Sequence, residues 1–119
     1  MAAAKFMDAI ARMPGNDGED SDAIGAYTQV SLKEAAKLLG TDVVTETWIS
    51  LPAHRRPKEW ANIKDPVCPL LVNLYGHPLA GLLWEKYQEN ILFSLGFEKV
   101  ISWECLYVHR ACRLFLSAF

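Results

Sequence analysis

The segment Pro78-Leu-Ala-Gly-Leu-Leu-Trp-Glu-Lys-Tyr-Gln-Glu-Asn-Ile-Leu-Phe-Ser-Leu95-Gly96 decides what kind of fold this chain adopts. Leu79, Leu83, Tyr87, Ile91 and Leu95 recur every four residues, flanked by Leu82 and Leu92. Side chains four apart stack on one helical face, Pro78 suits the first turn and Gly96 suits the stop. The spacing predicts a helix over Pro78–Leu95 with its leucine stripe packed under a sheet. Downstream, Phe97–Ile101, Cys105–His109 and Leu114–Phe119 read as strands separated by turns, so the class is α+β.

Working upstream, Leu51–Pro69 holds Pro52, Pro57, Pro66 and Pro69 and reads as an irregular connection around the basic run His54-Arg55-Arg56-Pro57-Lys58. Val43–Ile49, rich in Val, Thr and Trp, reads as a strand. Ser31-Leu-Lys-Glu34 has capping-box form and leads into Ala35, Ala36, Leu38 and Leu39 before Gly40, which predicts a short helix over Leu32–Leu39. Ala23–Val30 mixes small, aromatic and β-branched residues and reads as a short strand. Gly15–Asp22 is an acidic loop by composition. Phe6, Met7, Ile10 and Met13 share a helical face over Ala2–Met13, which Pro14-Gly15 ends. One long and two shorter helices are therefore expected.

The 119 residues match one domain of common size, 51% hydrophobic and 22% charged. That composition excludes disorder as the overall class. Twelve Lys and Arg against fourteen Asp and Glu give a net charge of −2, not the balance of a self-sufficient nucleic-acid binder. Cys68, Cys105 and Cys112 lack framework spacing, which suits a reducing, intracellular setting. No apolar run reaches the roughly 18 residues of a membrane span, and Lys5, Asp8 and Arg12 break up any secretory leader.

Two segments carry a family resemblance. Asp22-Ala-Ile-Gly-Ala-Tyr27-Thr-Gln-Val-Ser-Leu32 resembles the first catalytic motif of reverse transcriptases, in which an Asp ends a palm strand and an aromatic residue follows five positions later. Leu74-Tyr75-Gly76, then Trp84, Leu92 and Leu95-Gly96-Phe97, resemble the "LYG…W…L…GF" block of copia-type retrotransposon polymerases. Val67-Cys68-Pro-Leu70 and Trp103-Glu-Cys-Leu-Tyr107 extend the likeness over most of Asp22–Phe119. His77, Pro78 and Gly81 depart from the family pattern, and Lys33–Thr45 is longer than its usual connection.

The resemblance implies residues 1–119 as a single partial domain: an N-terminal helix and acidic loop over 1–21 and an incomplete palm-like sheet over 22–119. It implies an RNA-directed DNA polymerase that uses an RNA template, a DNA primer and deoxynucleotides. Asp22 is then the catalytic carboxylate and a Mg²⁺ ligand, with the Ala23 carbonyl as a further ligand. Tyr27 packs under the sugar of the incoming nucleotide and excludes a 2′-hydroxyl, and Gly76 lets the backbone approach the nucleotide. The family's Tyr-x-Asp-Asp turn would follow Leu114–Phe119, so the chain is expected to be inactive alone and to join the remaining polymerase segments or itself. No membrane partner is implied.

Each residue also has a plainer reading. Asp22, after Asp17, Glu19 and Asp20, can be a solvated loop carboxylate, and Tyr27 and Trp84 can be core aromatics. Arg55, Arg56 and Lys58 can contact phosphate or form a solvated face. Cys105-x₃-His109-x₂-Cys112 holds zinc-type residues but lacks a fourth ligand, and reads as a buried thiol beside a surface imidazole. A non-catalytic interaction module and an unrelated small α+β domain stand as alternatives.

Overall fold

The computed structural model describes residues 2–43 and 46–118. Its elements are mixed α and β, and they gather into two compact units. One unit comprises residues 1–24 and 85–119, and the other Gly25–Trp84.

In the first unit, helix α1 spans Ala2–Ala11 and buries Ala3, with Phe6, Met7 and Ile10 half-buried on the same stripe. Phe6 lies 5.0 Å from Trp103 and meets Phe115 edge-on at 5.7 Å. Met13 falls past the helix end and is exposed. Residues 16–23 form no regular element and are exposed, as their acidic, glycine-containing composition predicts.

Strands β3 (Glu98–Lys99), β4 (Leu106–His109) and β5 (Leu114–Ser117) form an antiparallel meander in the order β3-β4-β5. The register pairs Glu98 with Val108, Tyr107 with Leu116, and His109 with Leu114. These are the three strands expected after the long helix, each shorter than expected, with Phe119 outside the described residues. Leu92, Tyr107 and Ala118 form a core cluster with Phe97 and Leu116 packed against it.

In the second unit, β1 (Trp48–Ser50) pairs antiparallel with β2 (Val67–Pro69), with Ile49 opposite Cys68. The strand expected over Val43–Ile49 thus starts later and ends one residue further on, while Val44 and Thr45 lie outside the described residues. The proline-rich connection contains two single 3₁₀ turns, Ala53–Arg55 and Lys58–Trp60, and ends in β2. A 3₁₀ turn over Leu32–Glu34 runs into helix α2 (Ala35–Leu39), and the stop at Gly40 is as expected. The capping box is not made, because Ser31 forms no side-chain cap. Its backbone is extended and bridges to Val72 instead.

The Ala23–Val30 segment corrects the strand expectation. Gly25 adopts a left-handed conformation (φ 60°), and Ala26–Gln29 follow as a 3₁₀ helix. Thr28 Oγ1 donates to the Gly25 carbonyl at 2.8 Å, the local side-chain bond by which Thr competes with extended structure. Correspondingly, no strand leads to Asp22 among the described residues.

Helix α3 covers Ala80–Ser94, and Pro78 and Leu79 form the turn before it. Its buried positions are Ala80, Leu83, Glu89 and Leu92, whereas Ile91 is 41% and Leu95 61% exposed. The expected stripe is corrected by helix geometry. Each four-residue step overshoots a 3.6-residue turn by about 40°, so Ile91 points roughly 80° away from Leu83.

Gly96 ends α3 in a Schellman motif. Its N–H bonds the Phe93 carbonyl at 3.1 Å and the Phe97 N–H bonds the Leu92 carbonyl at 3.0 Å. The motif needs a left-handed residue, here at φ +92°, and a Cβ on Gly96 would stand 3.0 Å from His109 Nε2. Gly96→Ala should therefore cost about 1–2 kcal/mol, read as a lower urea midpoint at unchanged slope. Among the described residues no helix is long and apolar enough to cross a membrane.

Candidate functional site

The second unit brings two of the sequence-predicted site residues together. Val30 is fully buried, and its carbonyl accepts the Asn73 N–H at 2.8 Å, while the Leu32 N–H bonds the Leu71 carbonyl at 3.0 Å. This short antiparallel pairing fixes the segment after Tyr27 against the segment before Tyr75. The two tyrosine rings consequently meet, with centroids 4.5 Å apart and planes at 49°. Tyr27 is half-buried, whereas Tyr75 is 71% exposed and presents the aromatic surface.

Gly76 sits in a tight turn closed by the His77 N–H to the Leu74 carbonyl at 3.1 Å, with Gly76 at φ +87°. A positive φ at the third position of such a turn calls for glycine. The turn itself therefore requires Gly76. Nothing stands within 4 Å of where its Cβ would be, so the space over the turn is open.

Polar bonds hold this turn from below. Asn73 is fully buried; its Nδ2 donates to the Ala80 carbonyl at 3.0 Å and its Oδ1 accepts the Leu74 N–H at 3.1 Å. His77 Nδ1 accepts the Leu79 N–H at 3.2 Å, which leaves the proton of the neutral ring on Nε2 to donate to Thr47 Oγ1 at 3.0 Å. His77, a departure from the family pattern, thus ties the turn to the residue before β1.

Asp22 and Ala23 belong to the other unit, in the exposed irregular segment. Mg²⁺ takes several oxygen ligands in near-octahedral array. Asp22 offers one carboxylate and Ala23 one carbonyl. Among the described residues no group of three or more His, Cys, Asp or Glu stands where it can hold a metal ion. These two residues alone supply too few oxygen ligands for a two-ion centre.

The first unit contains a polar cluster that the sequence reading missed. Glu89 lies inside α3 with its side chain 7% exposed. It accepts from Lys86 Nζ at 3.1 Å, from Lys99 Nζ on β3, and from the Tyr107 hydroxyl on β4 at 3.3 Å. Burial pushes the Glu89 carboxyl up, but the hydrogen bonds and charges of Lys99 and Lys86 outweigh it and hold the carboxyl below its ordinary value. The bond to Glu89 raises Lys99, and burial followed by the Glu89 charge pushes Tyr107 up to about 12. With three donors on it, Glu89 is a structural anchor and a poor general base. The signal available in sequence was the i, i+3 pair Lys86–Glu89.

Of the remaining expectations, Cys105 is half-buried and stands just before β4 in a positive-φ turn position. His109 is half-buried and edge-on to Phe97 at 5.2 Å. Cys112 is exposed. Arg55, Arg56 and Lys58 lie on the exposed proline-rich connection, where the Arg56 Nε bonds the Leu51 carbonyl at 2.8 Å. Comparison with protein-family models, with curated proteins and with solved structures gives no match.

Proposed function

We propose that this chain is a palm segment of a copia-type reverse transcriptase, the RNA-directed DNA polymerase of a retroelement, and that these 119 residues do not carry out nucleotidyl transfer alone. The observation that carries the reading is the meeting of Tyr27 with Tyr75-Gly76. Two motifs far apart in sequence, each assigned to nucleotide contact by resemblance, share one surface with open space over Gly76. In this reading the Tyr27 ring lies against the deoxyribose and excludes a 2′-hydroxyl. Asp22 supplies one metal-binding carboxylate, and the sequence contains no Asp-Asp pair to supply the others.

The test is reconstruction. The isolated chain gives no primer extension on an RNA template with Mg²⁺. Fused to a finger segment and a Tyr-x-Asp-Asp hairpin from a related element, it gains extension. In that protein Asp22→Asn abolishes the signal, since the amide loses the metal-binding charge, while Tyr27→Ala retains extension and admits ribonucleotides. A working fusion indifferent to Asp22→Asn would refute the assignment of the first motif.

A second reading, a non-catalytic interaction module, is favoured by the exposed face of the β1–β2 pair. Trp48 and Val67 are both exposed there, on the side opposite Ile49 and Cys68. Under this reading a folded fusion stays inactive.

A further inference from the structure

The two outer edges of the β3-β4-β5 meander are not alike. The β3 edge consists of Glu98 and Lys99, a short charged strand of the kind that blunts an edge. The β5 edge, Leu114-Phe-Leu-Ser117, carries no charge and no proline, and Leu114 and Phe115 are exposed on it. The direction of its backbone groups follows from the register. The Ala118 N–H donates to the Cys105 carbonyl at 3.0 Å, so Ala118 bonds toward β4, and by alternation Leu116 and Leu114 do the same opposite Tyr107 and His109. The N–H and C=O groups of Phe115 and Ser117 therefore point away from the sheet. Among the described residues no backbone segment outside the meander bonds them.

We propose that β5 is a homodimerisation edge, across which a second copy of this chain lays its own β5 antiparallel, centred on Leu116. A two-fold axis through Leu116 sets Phe115 opposite Ser117 of the second copy and Ser117 opposite its Phe115. These are the outward-facing residues, so both pairs exchange both of their N–H···O=C bonds. The side chains match under the same operation. On one face Phe115 meets Ser117, and on the other the exposed Leu114 meets Ala118, a large residue against a small one each time. That match argues for a second copy as the occupant, because a two-fold contact requires a self-complementary strand. No charge on Leu114–Ala118 opposes it. The joined sheet ends on Glu98-Lys99 at both sides, so addition stops at two copies. The inference does not depend on the nucleotide reading.

The test uses the full chain in analytical ultracentrifugation and in amide hydrogen exchange read residue by residue by NMR. Between about 10 µM and about 500 µM the sedimentation should shift from monomer to dimer, and exchange at Phe115 and Ser117 should slow by roughly tenfold or more. The Leu116 amide, which faces β4, should be protected at both ends of the range. Ser117→Pro removes an outward N–H and leaves the bonds to β4, and Leu114→Lys places a charge on the edge; each should weaken dimerisation roughly tenfold or more. A chain that stays monomeric over this range overturns the proposal, as does a dimer in which Phe115 and Ser117 exchange freely. Dimerisation unchanged in both variants would place the contact elsewhere, the exposed β1–β2 face included, and would overturn it too. Because a variant can also lose its fold, the exchange measurement on the unaltered chain decides by itself.

Discussion

Leu83→Ala lowers the unfolding free energy by about 2–5 kcal/mol, the range for truncating a buried leucine whose surroundings collapse only partly. Leu83 is fully buried on α3, in the unit whose core also includes Val30, Ala35 and Ala80. Removing its isopropyl group loses transfer free energy and leaves a void beside residues that cannot all move in. Ile91→Ala is the matched control. Equal spacing along the sequence predicts an equal loss, but Ile91 is 41% exposed, so it should cost under about 1 kcal/mol. Urea denaturation of the two variants separates these cases, and similar losses at both would show that the described face of α3 is misassigned.

The second large effect is on the pH limits of stability. Glu89 is held below the ordinary carboxylate value of 4.5, so the stabilisation its ionisation supplies is complete above pH 4.5 and is lost as pH falls through its lower folded value. Lys99 is raised above 10.5, so its contribution is complete below pH 10.5 and is lost as pH climbs through its higher folded value. Tyr107 is raised from 10.0 to about 12, so stability also falls as pH rises between those values, where the unfolded chain ionises this phenol first. Glu89→Gln should cost about 1–3 kcal/mol at neutral pH, since it leaves two half-exposed ammonium groups around an amide that matches them poorly. It should also flatten the acid limb of a stability–pH curve built from urea midpoints. An unchanged acid limb in Glu89→Gln would assign acid sensitivity to other carboxylates.

Local rules read part of this protein well. The phase of Phe6, Met7 and Ile10, the turn residues Gly40 and Gly96, and the alternation of apolar runs with turns after Phe97 placed two helix ends and the β3-β4-β5 meander. They operate over a few residues, through dihedral preference and side-chain direction, and sequence carries them directly. The Ser31 and Ala23–Val30 readings failed for a related reason. Each rested on a local preference, and the bridge of Ser31 to Val72, more than forty residues away, and the left-handed Gly25 with its Thr28 bond competed successfully against it.

The candidate site divides in the same way. Tyr27 and Gly76 were named by sequence resemblance, but their proximity depends on Val30 pairing with Asn73, a contact no periodicity encodes. Which residues of α3 are buried was likewise decided by tertiary structure. A four-residue stripe winds around a helix of 3.6 residues per turn, so the sequence by itself determined that a helix forms and where it stops, while packing chose Leu83 and Leu92 over Ile91 and Leu95. Packing also turned Glu89, an ordinary helix-surface residue by composition, into a buried anchor. The physical reason is that Lys99 and Tyr107 reach it from two different strands, and only the folded chain brings those donors to one carboxylate.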